Sequence, residues 1–132
     1  MASGERVYTG SRWQKLGARR GLRALLLHIP DPTLESELED AGVEVLDKGA
    51  AVADLVFLGV ASVAELDRIR ELKPRLAKEG ALWVIRPKGK NTPVHERALM
   101  DAGLDAGLVD VKVVNFSGTH SAMKFVYRLR DR

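Results

Sequence analysis

Residues 80–129 read GALWVIRPKGKNTPVHERALMDAGLDAGLVDVKVVNFSGTHSAMKFVYRL, and the order of periodicities in this stretch decides the fold. Ala81 to Ile85 is a continuous apolar run too short for a core helix, so it reads as a strand covered on both faces and closed by Arg86 and Pro87. Thr92 and Pro93 offer a cap and a first-turn proline for a helix running to Asp101, with Gly103 as its stop. Leu108 to Phe116 and Ala122 to Leu129 read as two longer strands. Ser117 to Ser121 joins them as an antiparallel hairpin.

Upstream of Gly80 the same alternation repeats. Leu22 to His28 (LRALLLH) reads as a buried strand ended by Pro30 and Pro32. Asp31 or Thr33 then caps a helix to about Ala41, with Leu34, Leu38 and Ala41 on one face and Glu35, Glu37, Glu39 and Asp40 toward water. Gly42 stops it. Val43 to Leu46 is a short strand, Asp47 to Gly49 a turn, and Asp54 to Val60 (DLVFLGV) a second buried strand. Ser62 with Glu65 forms a capping box opening a helix to about Lys78, which Pro74 kinks or divides and Gly80 ends. Residues 1–10 read as frayed, and Ser11 to Leu16 as a short helix capped by Ser11. Together these elements predict an α/β, Rossmann-like three-layer domain over 21–132. It has a mainly parallel sheet of about six strands and a C-terminal antiparallel hairpin, preceded by an N-terminal segment over 1–20.

Composition narrows the chemistry. The 132 residues contain no cysteine, which excludes disulfides, thiolate metal sites and cysteine nucleophiles. His28, His95 and His120 are dispersed without ligand spacing, so no metal site is expected. No apolar run approaches the roughly 20 residues of a membrane span, and the first residues carry no signal-like pattern, so the expected location is the cytoplasm. Net charge is +3, divided unevenly: residues 1–32 hold six basic and two acidic side chains, 33–80 six and eleven, 81–132 nine and five. This balance suits an anionic small molecule better than it specifies a nucleic acid. No nucleophile elbow, phosphate loop or paired-carboxylate motif is present.

The stretch from GALWVIRPKG through a helix to GLVDVKVVNFSG and MKFVYRL resembles the last three strands of class I S-adenosylmethionine-dependent methyltransferases. The chain also resembles a short bacterial family, methyltransferase-like in outline and without an assigned activity. The resemblance rests on Lys15-Leu16-Gly17, a strand ending in proline, the segment Gly80 to Lys88 (G-x-L-W-V-x-x-P-K) and Gly107 to Lys112 (G-L-V-D-x-K). It implies a truncated methyltransferase-like fold. The glycine-rich cofactor loop expected after the first strand is replaced by His28-Ile29-Pro30-Asp31-Pro32, which removes backbone donors where S-adenosylmethionine would need them. Asp47 stands where an acidic residue would hold the ribose, or is a solvated turn residue.

The reading is therefore a noncatalytic domain that binds an anionic small molecule or a partner protein. The alternatives are a diverged S-adenosylmethionine-dependent methyltransferase and a basic nucleic-acid-associated protein. In open parallel sheets, ligands collect beyond the carboxyl ends of the strands, which would gather His28 to Asp31, Gly59 to Ser62 and Arg86 to Lys90. Arg86, Lys88 and Lys90, alternating around Pro87 and Gly89, are the expected anion subsite. Asp110 and Lys112, two apart on one strand, should share a face, either as an ion pair or as groups turned toward that loop. His28 is the remaining candidate ligand residue. Trp83 reads as core, and His120 as a solvated hairpin residue. The strand Lys124 to Leu129 offers an edge for a homodimer.

Overall fold

In the computed structural model, which describes residues 12–132, the aliphatic runs pair as the centre of one six-stranded sheet. The elements in chain order are α1 (Arg12–Lys15), β1 (Arg23–Leu27), α2 (Leu34–Asp40), β2 (Glu44–Val45), β3 (Ala53–Gly59), α3 (Arg68–Leu72), β4 (Leu76–Pro87), α4 (Glu96–Asp105), β5 (Leu108–Asn115) and β6 (His120–Tyr127). The sheet order is β2-β1-β3-β4-β6-β5. The first four strands are parallel, and β6 runs antiparallel to both β4 and β5.

Burial explains the composition of each strand. In β3 and β4, Leu55 to Gly59 and Ala81 to Ile85 are buried without interruption, because helices cover both faces. On one face Leu25, Val56, Leu82, Val84, Met123 and Phe125 pack against Ile69, Leu72 and Leu99 of α3 and α4. On the other, Leu55, Phe57, Trp83 and Ile85 meet Leu16, Leu34 and Leu38, from α2 and the chain just after α1. Trp83 is fully buried, and its indole N–H donates to the Leu16 carbonyl at 3.0 Å. The expected three-layer α/β architecture, its parallel half and its closing hairpin are all present.

Several local expectations are corrected. The helix expected from Ser62 to Lys78 is three short pieces: a 3-10 turn over Val63–Asp67, α3, and a second 3-10 turn over Lys73–Arg75. Pro74 lacks the N–H that would continue the helix, and Leu76 already pairs with Ala53 in the sheet. Gly80, read as a helix stop, lies inside β4. The capping box does not form: Ser62 makes no side-chain cap, and the Glu65 carboxylate reaches one residue past it to accept the Ala61 N–H at 2.9 Å.

At α4 the N-cap is His95 instead of Thr92, and Gly103 is a buried residue within the helix. The chain turns at Gly107, whose φ of 88° supplies the left-handed residue after the C-cap Ala106. The strand expected to offer an edge is interior: β6 lies between β4 and β5, and β5 is the edge. Ser11, the expected cap of α1, lies outside the described residues, as do residues 1–10. No helix among the described residues is long and apolar enough to cross a membrane.

Candidate functional site

The carboxyl end of β1 is shaped by one unusual backbone conformation. His28 has φ 57°, left-handed and rare outside glycine, at a strain of about 1–2 kcal/mol. One residue beyond the Leu27–Leu58 pair of the adjacent strands β1 and β3, the His28 carbonyl lies against Gly59 at the end of β3. A Cβ at residue 59 would stand 2.0 Å from the His28 oxygen, so only glycine fits there.

Beyond His28 the loop is stiffened by Pro30 and Pro32 and fastened from two sides. The Asp31 carboxylate accepts the Thr33 hydroxyl at 2.7 Å and the Thr33 N–H at 2.9 Å. Arg12, arriving from α1, donates to Asp31 at 2.7 Å, to both oxygens of Glu37 and to the Phe116 carbonyl at 3.1 Å. Its guanidinium also lies 4.4 Å from the centre of the Phe116 ring. The Thr33 hydroxyl and N–H, with Arg12, hold Asp31 down to about 2.

Between this loop, the segment after β3 and the start of β6 lies a cleft of about 270 Å³, whose walls include His28, Gly59, Glu65, Arg68 and His120. Arg68 is 3.4 Å from Glu65, which leaves other guanidinium donors free of that ion pair. His120 Nδ1 is 2.8 Å from the Thr119 hydroxyl. Burial, and secondarily the charge of Lys88, push His120 below its ordinary value and so favour a neutral imidazole. A second cavity of about 290 Å³ lies on the other side of the loop, with Asp31, Pro32, Glu35 and Lys48 among its walls. His28 lines both. The proline-bearing loop is thus a partition across the crevice at the strand ends.

The sequence-predicted residues are not all gathered there. His28 lines the cleft. Arg86 does not: its guanidinium turns back to donate to the carbonyls of Pro87 and Val94 at 3.3 and 3.2 Å, with the Thr92 hydroxyl bonded to the same Pro87 oxygen. Lys88 bonds the Asn115 side chain, and its N–H donates to the Thr119 carbonyl at 3.0 Å, which places it beside His120 at the rim. Lys90 is exposed. Arg86 is thus held by carbonyls of its own loop, while Lys88 and Lys90 lie on the exposed side of it.

Asp110 and Lys112 are separated by a bulge at Val111. Asp110 pairs with Phe125 and Lys112 with Lys124, so the two side chains lie on opposite faces of the sheet and form no ion pair. They also sit low in β5, whereas Asn115 is the residue level with Arg86 through Ser121. Asp47 is exposed in its turn, and Lys48 and Glu35 line the neighbouring cavity. Arg68, Glu65 and Arg12 were missed. Arg68 had a legible signal, a cation between the buried Leu66 and Ile69 on the segment leaving β3. Arg12 had none, because its partners are 19, 25 and 104 residues away.

No protein-family model matches the sequence, and no curated protein is significantly similar to it. Solved structures are similar in fold. The fibrillarin of Aeropyrum pernix, in complex with S-adenosyl-L-methionine, superposes with a TM-score of 0.64 at 15% identity, over 87% of this chain and 73% of that one. The 1,6-didemethyltoxoflavin-N1-methyltransferase of Burkholderia thailandensis, with bound S-adenosylhomocysteine, gives 0.63 at 12% identity, over 86% and 73%. A SAM-dependent methyltransferase from Aquifex aeolicus gives 0.59 at 13% identity and covers 85% of both chains. The described residues therefore adopt the Rossmann-like fold of the S-adenosylmethionine-dependent methyltransferases.

Proposed function

We propose that this chain is a methyltransferase-fold domain that holds a small anionic molecule in the cleft between His28, Arg68 and His120 and transfers no methyl group. The contact of the His28 carbonyl with Gly59 carries the reading. The loop after β1 lies close over the end of β3, and leaves a cleft of about 270 Å³ on one side and a cavity of about 290 Å³ on the other.

The residues after β1 do not fit S-adenosylmethionine. Pro30 and Pro32 have no N–H to give, and the N–H groups of Thr33 and Leu34 are spent on Asp31. Arg68, with Lys88 at the rim, supplies the positive charge for a carboxylate or phosphate, and a neutral imidazole adds a directional donor. Lys90 and the exposed side of the Arg86 loop extend that positive edge.

The test is calorimetry with S-adenosylmethionine and S-adenosylhomocysteine beside a thermal-shift screen of small carboxylates and phosphorylated metabolites. The expected outcome is no heat with the two cofactors and a shift with one class of anion. A ligand at 100 times its dissociation constant stabilises the native state by about 2.7 kcal/mol. Arg68→Ala, and Lys88→Ala with Lys90→Ala, should each weaken that anion several-fold. Micromolar affinity for S-adenosylmethionine with methyl transfer to any acceptor would instead establish the second reading, a diverged methyltransferase, which the fold itself favours.

A further inference from the structure

We propose a second ligand site at the opposite end of the sheet: the groove beside Lys124 takes an amphipathic anion, a carboxylate or phosphate carried on an apolar body. The groove encloses about 590 Å³, twice the volume of the cleft and more, and none of its walls is shared with that cleft. It opens at the amino-terminal ends of β1 and β3 and beside Glu79 to Ala81 of β4, with Leu16 and Gly17, just after α1, among its walls. Its apolar surface comes from Leu22, Leu55, Ala81, Val111 and Val126. Val111, at the bulge in the edge strand β5, is part of it and is 51% exposed.

The charges around this floor are unbalanced. Arg19, Lys124 and Arg132 line the groove together with Asp54 and Glu79. Asp54 is already engaged, accepting the Arg23 N–H at 2.9 Å and lying 3.4 Å from the Arg23 guanidinium. That leaves Glu79 against three cations. Lys112 adds a fourth positive charge, because it stands directly across the strand pair from Lys124, and like charges in that position repel. No carboxylate among the described residues forms an ion pair with either lysine. Both ammonium groups lie near the Trp83 ring, at 5.9 and 6.0 Å, at the outer limit of a cation–π contact. Burial and the neighbouring Lys112 lower the pKa of Lys124, in line with that crowding.

A bare phosphate would relieve the repulsion and leave the valine and leucine floor in water. A neutral apolar molecule would cover the floor and leave the lysines opposed. An apolar body bearing one anionic group does both, through dispersion and burial below and charge-assisted hydrogen bonds at the rim.

The probe is 8-anilinonaphthalene-1-sulfonate, an aromatic body with one sulfonate, titrated by fluorescence into the native protein and then displaced with decanoate or with decanol. One saturable site is expected, displaced by decanoate at far lower concentration than by decanol. Lys124→Glu and Arg19→Glu should each weaken the probe by about tenfold or more, the loss expected of a charge-assisted contact. Arg97→Glu, which changes net charge equally on the opposite face, should bind as the parent does. Arg19 lies in an exposed loop, so its variant reports even where Lys124→Glu fails to fold; cooperative thermal melts identify the folded ones. Equal displacement by decanol, or parental affinity in the folded charge-reversed variants, would overturn the assignment. Neither result bears on the cleft beside His28.

Discussion

Arg12 shows how one side chain fastens three separate parts of the chain. Its side chain is 16% exposed, and its guanidinium joins the loop after β1, the first turns of α2 and the end of β5. Such planar, forked recognition suits arginine and not lysine. Asp31 is the titratable end of this network, and its position makes folding depend on acid. Its native pKa of about 2 lies below the ordinary 3.8, so between these values the unfolded chain binds the extra proton and stability rises with pH. The contribution is fully present above about pH 4 and is lost as pH falls toward 2. Urea midpoints measured from pH 6 to pH 2 should therefore fall more steeply for the parent than for Asp31→Asn. The difference should amount to on the order of 1 kcal/mol, after discounting for the solvent that reaches the carboxylate. Parallel curves for the two proteins would mean that the Thr33 and Arg12 contacts do not hold the carboxylate in solution.

Among the elements, α4 and β6 meet through the absence of a side chain. A Cβ at Gly103 would lie 2.0 Å from Cε1 of Phe125, a ring wholly buried between α4 and the sheet. Alanine is the better helix former by about 1 kcal/mol, yet Gly103→Ala should destabilise the protein by about 1–3 kcal/mol, because overpacking pushes the helix away from the strand. Adding Phe125→Leu should recover part of that loss, so a double-mutant cycle by urea denaturation should give a coupling well above experimental error. Additive effects would place the helix farther from β6 than the structure does. The segment between β3 and β4 makes the converse point. Its apolar positions have helical spacing, but Pro74 and the pairing of Leu76 with Ala53 break it into short turns. Arg68 opens the short helix α3 and lines the cleft.

Across the whole molecule, burial falls from the centre of the sheet to its margins. β3 and β4 are covered on both faces, whereas β2 has two residues and β5 leaves Val111 and Val113 exposed at the edge. Amide exchange should follow this order, slowest in Leu55 to Leu58 and Leu82 to Ile85, and faster by orders of magnitude in β5, whose outer edge has no strand beside it among the described residues. Equal protection of β5 and β4 would mean that this edge is covered in solution. The same layering separates the two anion sites proposed above. One lies at the carboxyl ends, where strands give way to loops, and the other at the amino ends of the parallel strands.

The sequence by itself determined the architecture, for a physical reason: strands buried on both faces must be nearly continuous in aliphatic residues, as LRALLL, DLVFLG and ALWVI are, and their alternation with helices forces parallel crossovers. It also set the character of the loop after β1, since two prolines and no glycine dictate a stiff loop short of donors whatever surrounds it. Only the tertiary structure decided which charges meet. Arg86, Lys88 and Lys90 look like one cluster along the chain, but the first satisfies its own loop's carbonyls and the second bonds Asn115. Asp110 and Lys112 look like neighbours on one face until a single bulge sends them to opposite faces. Periodicity is a local property and can be read residue by residue, whereas the convergence of Arg12 on Asp31, Glu37 and Phe116 depends on contacts between positions far apart in the chain, which become neighbours only when the sheet is assembled.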